Sequence, residues 1–411
     1  MTDFESFTLD NGLRVIVHVD HSTPLVAVNL LYDVGSKDED PETTGLAHLF
    51  EHLMFSGTKR IPNFDTPLQI AGGENNAFTN TDITNYYITI PRNNLETALW
   101  VESDRMNEIN LSKKNINIQK SVVIEEFKQR YLNQPYGDSS HLTRDLTYKV
   151  HPYRWPTIGL KISHIKEAKE ETIRDFYYSH YAPNNAILCL AGNIEVDDAK
   201  LLVDKWFGSI ERREIKQRNL PVEPKQTDAR FMEVKRDVPT PALYKVWHGP
   251  IRNSIDFVAL DMITDLLAGG ESGYMQNILV REKQLFSNAN IYVSGELEAG
   301  TVSFYGSLQP GVDIKKADET VTELIDELTN KPVSYRDIEK VKNRHEASAI
   351  YGNTSILNKA MNLSLYELMG NANLIDKELE TYRQLSTDDV VRFTKKYLSP
   401  NNCNTLYYNT K

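Results

Sequence analysis

The chain has 411 residues, 57 acidic against 46 basic, and a net charge of −11 at neutral pH. That balance argues against binding nucleic acid through its phosphates, and no apolar run is long enough to cross a membrane. Two cysteines are too few for a disulfide framework.

The first predicted element is a hairpin, with alternating residues on either side of Asp10, Asn11 and Gly12, a sequence that favours tight reversal. The chain enters this strand within a few residues of Met1, so no signal peptide is expected. The expected home is cytoplasmic, or periplasmic if a leader was removed. Leu25–Val34 is nearly continuously apolar and is predicted to be a central strand.

The most informative segment follows, from Thr44 to Phe55. His48 and His52 are four residues apart, so on a helix they share one face, with Glu51 beside them. Two imidazoles so placed can grip one zinc ion, and the adjacent carboxylate can work on a water as a base. Ten histidines and 57 acids in this length give roughly 0.03 such His-x-x-acid-His matches by chance. Gly72 and Gly73 then read as a turn feeding a strand over Ile83–Ile90.

Long helices are predicted around Glu96–Glu108, Ser112–Leu132 and Val196–Phe207, with Ser112 as an N-cap. A catalytic zinc site needs a third protein ligand. Glu125 and Glu126, in the Ser112 helix, point about 100° apart, so only one can face the ion. Periodicity does not choose between them, since Ile118 and Val122 flank one and Val123 and Phe127 the other.

The chain also repeats itself. Tyr181, Pro183, Asn184 and Asn185 recur as Tyr397, Pro400, Asn401 and Asn402, each after an amphipathic helix and before a strand. A β-rich run ending at Gly35 has a counterpart ending at Gly249, and Cys189 and Cys403 fall at nearly matching places. The expected architecture is therefore α+β: two homologous domains, each a mostly antiparallel or mixed sheet with helices packed on one face. The boundaries expected are 1–210, a charged, proline-bearing linker at 211–228, and 229–411. An offset of 214 from the zinc motif lands on Met262, Asp265 and Leu266, and from Glu126 on Lys340, so the second domain has no metal site of this kind.

The stretches 45–58, 71–79 and 119–127 resemble the pitrilysin or M16 metallopeptidase family, which includes mitochondrial processing peptidases. The likeness runs over essentially the whole chain. It implies a zinc endopeptidase in which His48, His52 and Glu126 hold the ion and Glu51 is the base, with Gln119 in supporting contact where relatives often have an acid. It further implies that Asn76, Ala77, Phe78 and Thr79 form an edge strand that pairs with substrate. Family members of this length form half of a four-domain clamshell, so a homodimer or a heterodimer with a second such chain is expected. Arg281 matches a substrate-binding arginine, but its companion tyrosine falls at Phe286 to Asn288, which suggests that a partner supplies that group. Two alternatives are a catalytically silent scaffold subunit and the lyases that cleave S-ribosylhomocysteine. The first usually loses zinc ligands, and the second are far shorter and use a nearby cysteine.

Overall fold

The structure is a computed structural model, and it describes residues 3–411. Its strands are β1 (Glu5–Thr8), β2 (Arg14–Val19), β3 (Leu25–Tyr32), β4 (Glu74–Thr79), β5 (Thr84–Pro91), β6 (Ala186–Gly192), β7 (Arg230–Arg236), β8 (Ala242–His248), β9 (Phe286–Val293), β10 (Thr301–Leu308) and β11 (Cys403–Thr410). The helices of the first half are α1 (Leu46–Phe55), α2 (Asp65–Ile70), α3 (Leu95–Asn107), α4 (Lys113–Phe127), α5 (Ser139–Thr147), α6 (Ile162–Glu167), α7 (Glu170–His180) and α8 (Val196–Phe207). The rest are α9 (Ile255–Ala268), α10 (Ile314–Asn330), α11 (Tyr335–Gly352), α12 (Ile356–Leu368), α13 (Leu374–Gln384) and α14 (Thr387–Tyr397).

The chain forms two compact units. One runs to Gln129 and adds Trp155–Leu220 and Ile350–Asp376; the other comprises Arg130–Arg154, Pro221–Ala349 and Lys377–Lys411. The contiguous boundaries expected from the sequence therefore need two amendments, because residues 130–154 and 350–376 each belong with the other half's sheet. Within 211–228 there is neither helix nor strand, and the change of unit falls at Leu220.

In the first unit the sheet order is β1-β2-β6-β3-β5-β4. The Asn11-Gly12 turn joins β1 to β2, with Gly12 at φ 90°, and Thr8 lies opposite Arg14. β3 is buried almost throughout because both of its faces are covered. On one face Tyr86 of β5 lies under Arg105 of α3, with the guanidinium carbon 4.1 Å from the ring centroid. On the other, Asn29 of β3 donates to Ser364 Oγ of α12 at 3.0 Å and accepts from Asn85 at 2.8 Å. The α+β prediction holds, with one helix added to the face expected to be bare.

The second unit has the sheet order β7-β11-β8-β10-β9. Its main core packs Leu243, Trp247, Ile291 and Phe304 of the sheet against Leu260, Ile263 and Leu267 of α9, Val321 of α10 and Phe393 of α14. The opposite face, through Ala242, Leu406 and Tyr408, takes Leu142 of α5. Thus each sheet has several helices on one face and a single borrowed helix on the other.

The internal repeat extends to individual hydrogen bonds. Pro183–Asn185 and Pro400–Asn402 are both short 3-10 turns. The Asn185 amide donates to the carbonyls of His180 (2.8 Å) and Asp33 (3.1 Å); that of Asn402 donates to Tyr397 (2.8 Å) and His248 (2.9 Å). Each turn launches a strand that pairs in parallel with the first or second strand of its half, β6 with β2 and β11 with β7.

Candidate metal centre

α1 starts at Gly45, which sits at φ 93°, where an L side chain is strained and a Cβ would meet Ile165 Cδ1 at 2.6 Å. Leu46, Ala47, Leu49, Phe50, Leu53 and Met54 are buried, leaving His48, Glu51, His52 and Phe55 as the half-exposed stripe. Their spacing of three and four residues puts them on one face. Gly45 has no side chain to satisfy the first N–H groups of the helix. Glu39 does so instead, accepting from the backbone of Gly45 and Ala47 at 2.8 Å each. Burial pushes the Glu39 carboxyl up to about 8, against the pull of those two N–H groups.

α4 opens where expected, with the Ser112 hydroxyl accepting from the Asn115 N–H, and carries Glu126 near its end. The Glu126 carboxylate lies 3.6 Å from His48 Nε2 and 3.3 Å from His52 Nε2. One donor atom from each of the three residues falls within 4.8 Å of the others, the one such group of His, Cys, Asp or Glu among the described residues. Glu125, left open by periodicity, is turned outward and pairs with Lys128 at 2.6 Å. Gln119, two turns before Glu126 on α4, is half-buried.

The donor set fits zinc. Ligand bonds of about 2.0–2.1 Å in a tetrahedron separate neighbouring donors by roughly 3.3 Å, close to the two separations from Glu126. Two imidazoles and one carboxylate leave a fourth position for water, the pattern of catalytic rather than structural zinc. Behind α1, Tyr32, Tyr86 and Tyr181 are wholly buried; burial raises all three phenols, and the Glu51 carboxylate adds to the rise at Tyr86 and Tyr181. They therefore stay protonated at neutral pH, and a charge on Glu51 has no ionised neighbour among them.

β4 is the last strand of its sheet, paired on one side with β5 from Glu74↔Thr89 to Thr79↔Thr84. The Asn76, Ala77, Phe78 and Thr79 stretch thus lies on an edge, beside α1. The Ala77 N–H is taken by its neighbour's Asn76 carboxamide at 2.8 Å. A hollow of about 640 Å³ adjoins the strand, with Phe55 of α1 and Asp65 and Gln69 of α2 in its wall. Sequence reasoning missed α2 here, since its six residues carry no periodic signal. It also missed Glu39, which sits in an acidic run, Asp38 to Glu42, that reads as a solvated loop.

Arg281 belongs to the second unit. It pairs with Glu271 and hydrogen-bonds Asn277, half-exposed on a π-helical segment, Gln276–Glu282. Phe286 is buried and Tyr292 exposed. Asp265 of α9 pairs with Arg344 of α11, and Asp261 with His345 at 3.8 Å. Lys340, at the offset position from Glu126, donates to the Ser272 carbonyl at 3.2 Å. Where the first half brings two histidines and a carboxylate together, the second pairs Asp265 with an arginine and Asp261 with a single histidine.

A duplicated α+β chain with an inverted His-x-x-Glu-His helix and a distant carboxylate defines a class of metallopeptidase. Residues 14–150 match the model of insulinase, peptidase family M16, and residues 168–344 match that of the peptidase M16 inactive domain. The zinc protease PqqE of Helicobacter pylori is 30% identical over 412 residues, covering 98% of this chain and 92% of the relative. A solved protease from Helicobacter pylori aligns over 100% of both chains at 28% identity with a TM-score of 0.94. The periplasmic protease PqqL from Escherichia coli has the same fold, with a TM-score of 0.79 at 16% identity, over 99% of this chain and 48% of that one. The chain belongs to peptidase family M16. No helix among the described residues is long and apolar enough to cross a membrane.

Proposed function

We propose that the chain is a zinc-dependent endopeptidase acting on peptides or unfolded segments. The convergence of His48, His52 and Glu126 on one point, with Glu51 beside them on the same face of α1, carries the reading. When bound, zinc would supply a Lewis acid and lower the pKa of a water from about 15.7 to near 7. Glu51 takes the proton from the attacking water and returns it to the departing amine. β4 offers its free edge to an extended substrate, so backbone pairing orients the scissile bond while neighbouring hollows read side chains.

A second chain completes the enzyme. Arg281 has no tyrosine seven residues on, and this chain spans about half the length of the PqqL chain it matches. The missing hydroxyl comes from a partner, either another copy or a related chain. The protein works in the cytoplasm, or in the periplasm if it is made with a leader.

Zinc analysis together with cleavage of an unstructured peptide tests the proposal. One zinc per chain and chelator-sensitive cleavage are expected. Glu51→Gln should keep the metal and lose about 100-fold or more in turnover. Unchanged turnover in that variant would remove Glu51 from the mechanism; stoichiometric zinc with no cleavage under any pairing would favour a scaffold subunit.

A further inference from the structure

We infer that Glu39 is a positioning residue that sets the placement of the metal-binding helix; the inference rests on the metallopeptidase reading above. Glu39 is 5% exposed, and its two oxygens hold the N–H groups of Gly45 and Ala47, the N-cap and the second residue of α1. Two bonds from one rigid carboxylate fix both the axial position and the rotation of the first turn. His48 is the next residue, and His52 is one turn further on the same face. A helix capped by its own N-cap side chain would be stabilised without being located. Here the cap comes from six residues upstream, so it ties α1 to a separate piece of structure.

That piece is itself anchored to the substrate edge. The Ser36 and Lys37 N–H groups donate to the carbonyls of Asn80 and Thr81, at 3.1 and 2.9 Å, in the turn that joins β4 to β5. The Lys37 ammonium pairs with Asp82 at 2.8 Å, with both side chains almost wholly buried. Asp38 accepts from the Gly35 N–H at 3.0 Å and pairs with Arg218 at 2.6 Å. Gly35 leaves no room for a side chain, since a Cβ would lie 2.5 Å from the Asp82 nitrogen. The five residues 35–39 therefore hold the edge hairpin at one end and the histidine helix at the other. Glu39 is the link that sets the histidines relative to the strand.

Glu39→Gln keeps the side-chain volume but turns one acceptor into a donor that faces an N–H. Zinc affinity, measured by competition with a chromophoric chelator, should fall roughly tenfold or more. The visible absorption bands of the cobalt-substituted protein should shift as the ligand geometry relaxes. The thermal midpoint of the metal-free protein reports a merely structural role, which would lower the midpoint and leave the affinity and bands of the folded protein unchanged. Glu39→Asp, which keeps the carboxyl group and shortens its reach, is the second variant if the first does not fold. Affinity within twofold of the parent, with unshifted bands, overturns the inference, and so does failure of both variants to fold. A parent protein that binds no zinc would overturn the metallopeptidase reading itself, a result distinct from either.

Discussion

Asp20 shows how one carboxylate ties distant sequence together. It accepts from the Ser22 hydroxyl and N–H and pairs with Lys359 of α12 at 3.1 Å. Those Ser22 bonds, helped by Lys359 and opposed by partial burial, hold its carboxyl down at about 2 against an ordinary 3.8. A depressed folded-state value means stability that is present above about 4 and is lost as pH falls toward 2. Asp20→Asn should therefore lower the urea midpoint at pH 7, and its deficit should shrink between pH 4 and pH 2; a deficit constant across that range would contradict the assignment. At the metal centre, His48→Ala or His52→Ala removes one of three donors, and zinc in the purified protein should drop to near zero by elemental analysis.

At the level of elements, the proposed function rests on β4 and α1. Because the Ala77 N–H is held by the Asn76 side chain, Ala77→Pro deletes a donor that an incoming strand would use and spares the zinc ligands. A rise in KM of roughly three- to tenfold is expected, with zinc content unchanged; an unaltered KM would remove that N–H from substrate pairing. The elements themselves were largely readable. Val196–Phe207 matches its prediction residue for residue, and Ser112 caps α4 as expected, because caps and apolar spacing are local properties. The choice of Glu126 over Glu125 was not local: both stand on a helix face flanked by apolar residues, and only the packing of α4 on α1 separates them. The repeat is not spaced by one fixed number of residues. Tyr181 to Tyr397 is 216 residues, whereas the matched Asp33 and His248 carbonyls are 215 apart. Each connecting segment has drifted in length, so one number cannot align every helix.

For the whole molecule, sequence revealed two halves but not their exchange of α5 and α12. Both are ordinary amphipathic helices, and nothing in their own residues says which sheet they cover. Ser364 is informative only once Asn29 and Asn85 are seen beneath it. The proposed need for a partner makes a concentration-dependent prediction. Specific peptidase activity per chain should rise with protein concentration, or on adding a second family member, in step with dimer formation by analytical ultracentrifugation. Constant specific activity from a strictly monomeric preparation would show that the chain is sufficient alone.

The traded helices bear on how the gene can be divided. A stop codon placed at the linker would yield a fragment with Asn29 and Asn85 uncovered, lacking the segment that shields them, and a remainder deprived of Leu142. Neither product should be a workable protein by itself, whereas the two expressed together should reassociate. The trade makes each half depend on a helix that the other half of the chain encodes. That is a physical reason for the half without the His48, His52 and Glu126 cluster to be kept beside the half that carries it.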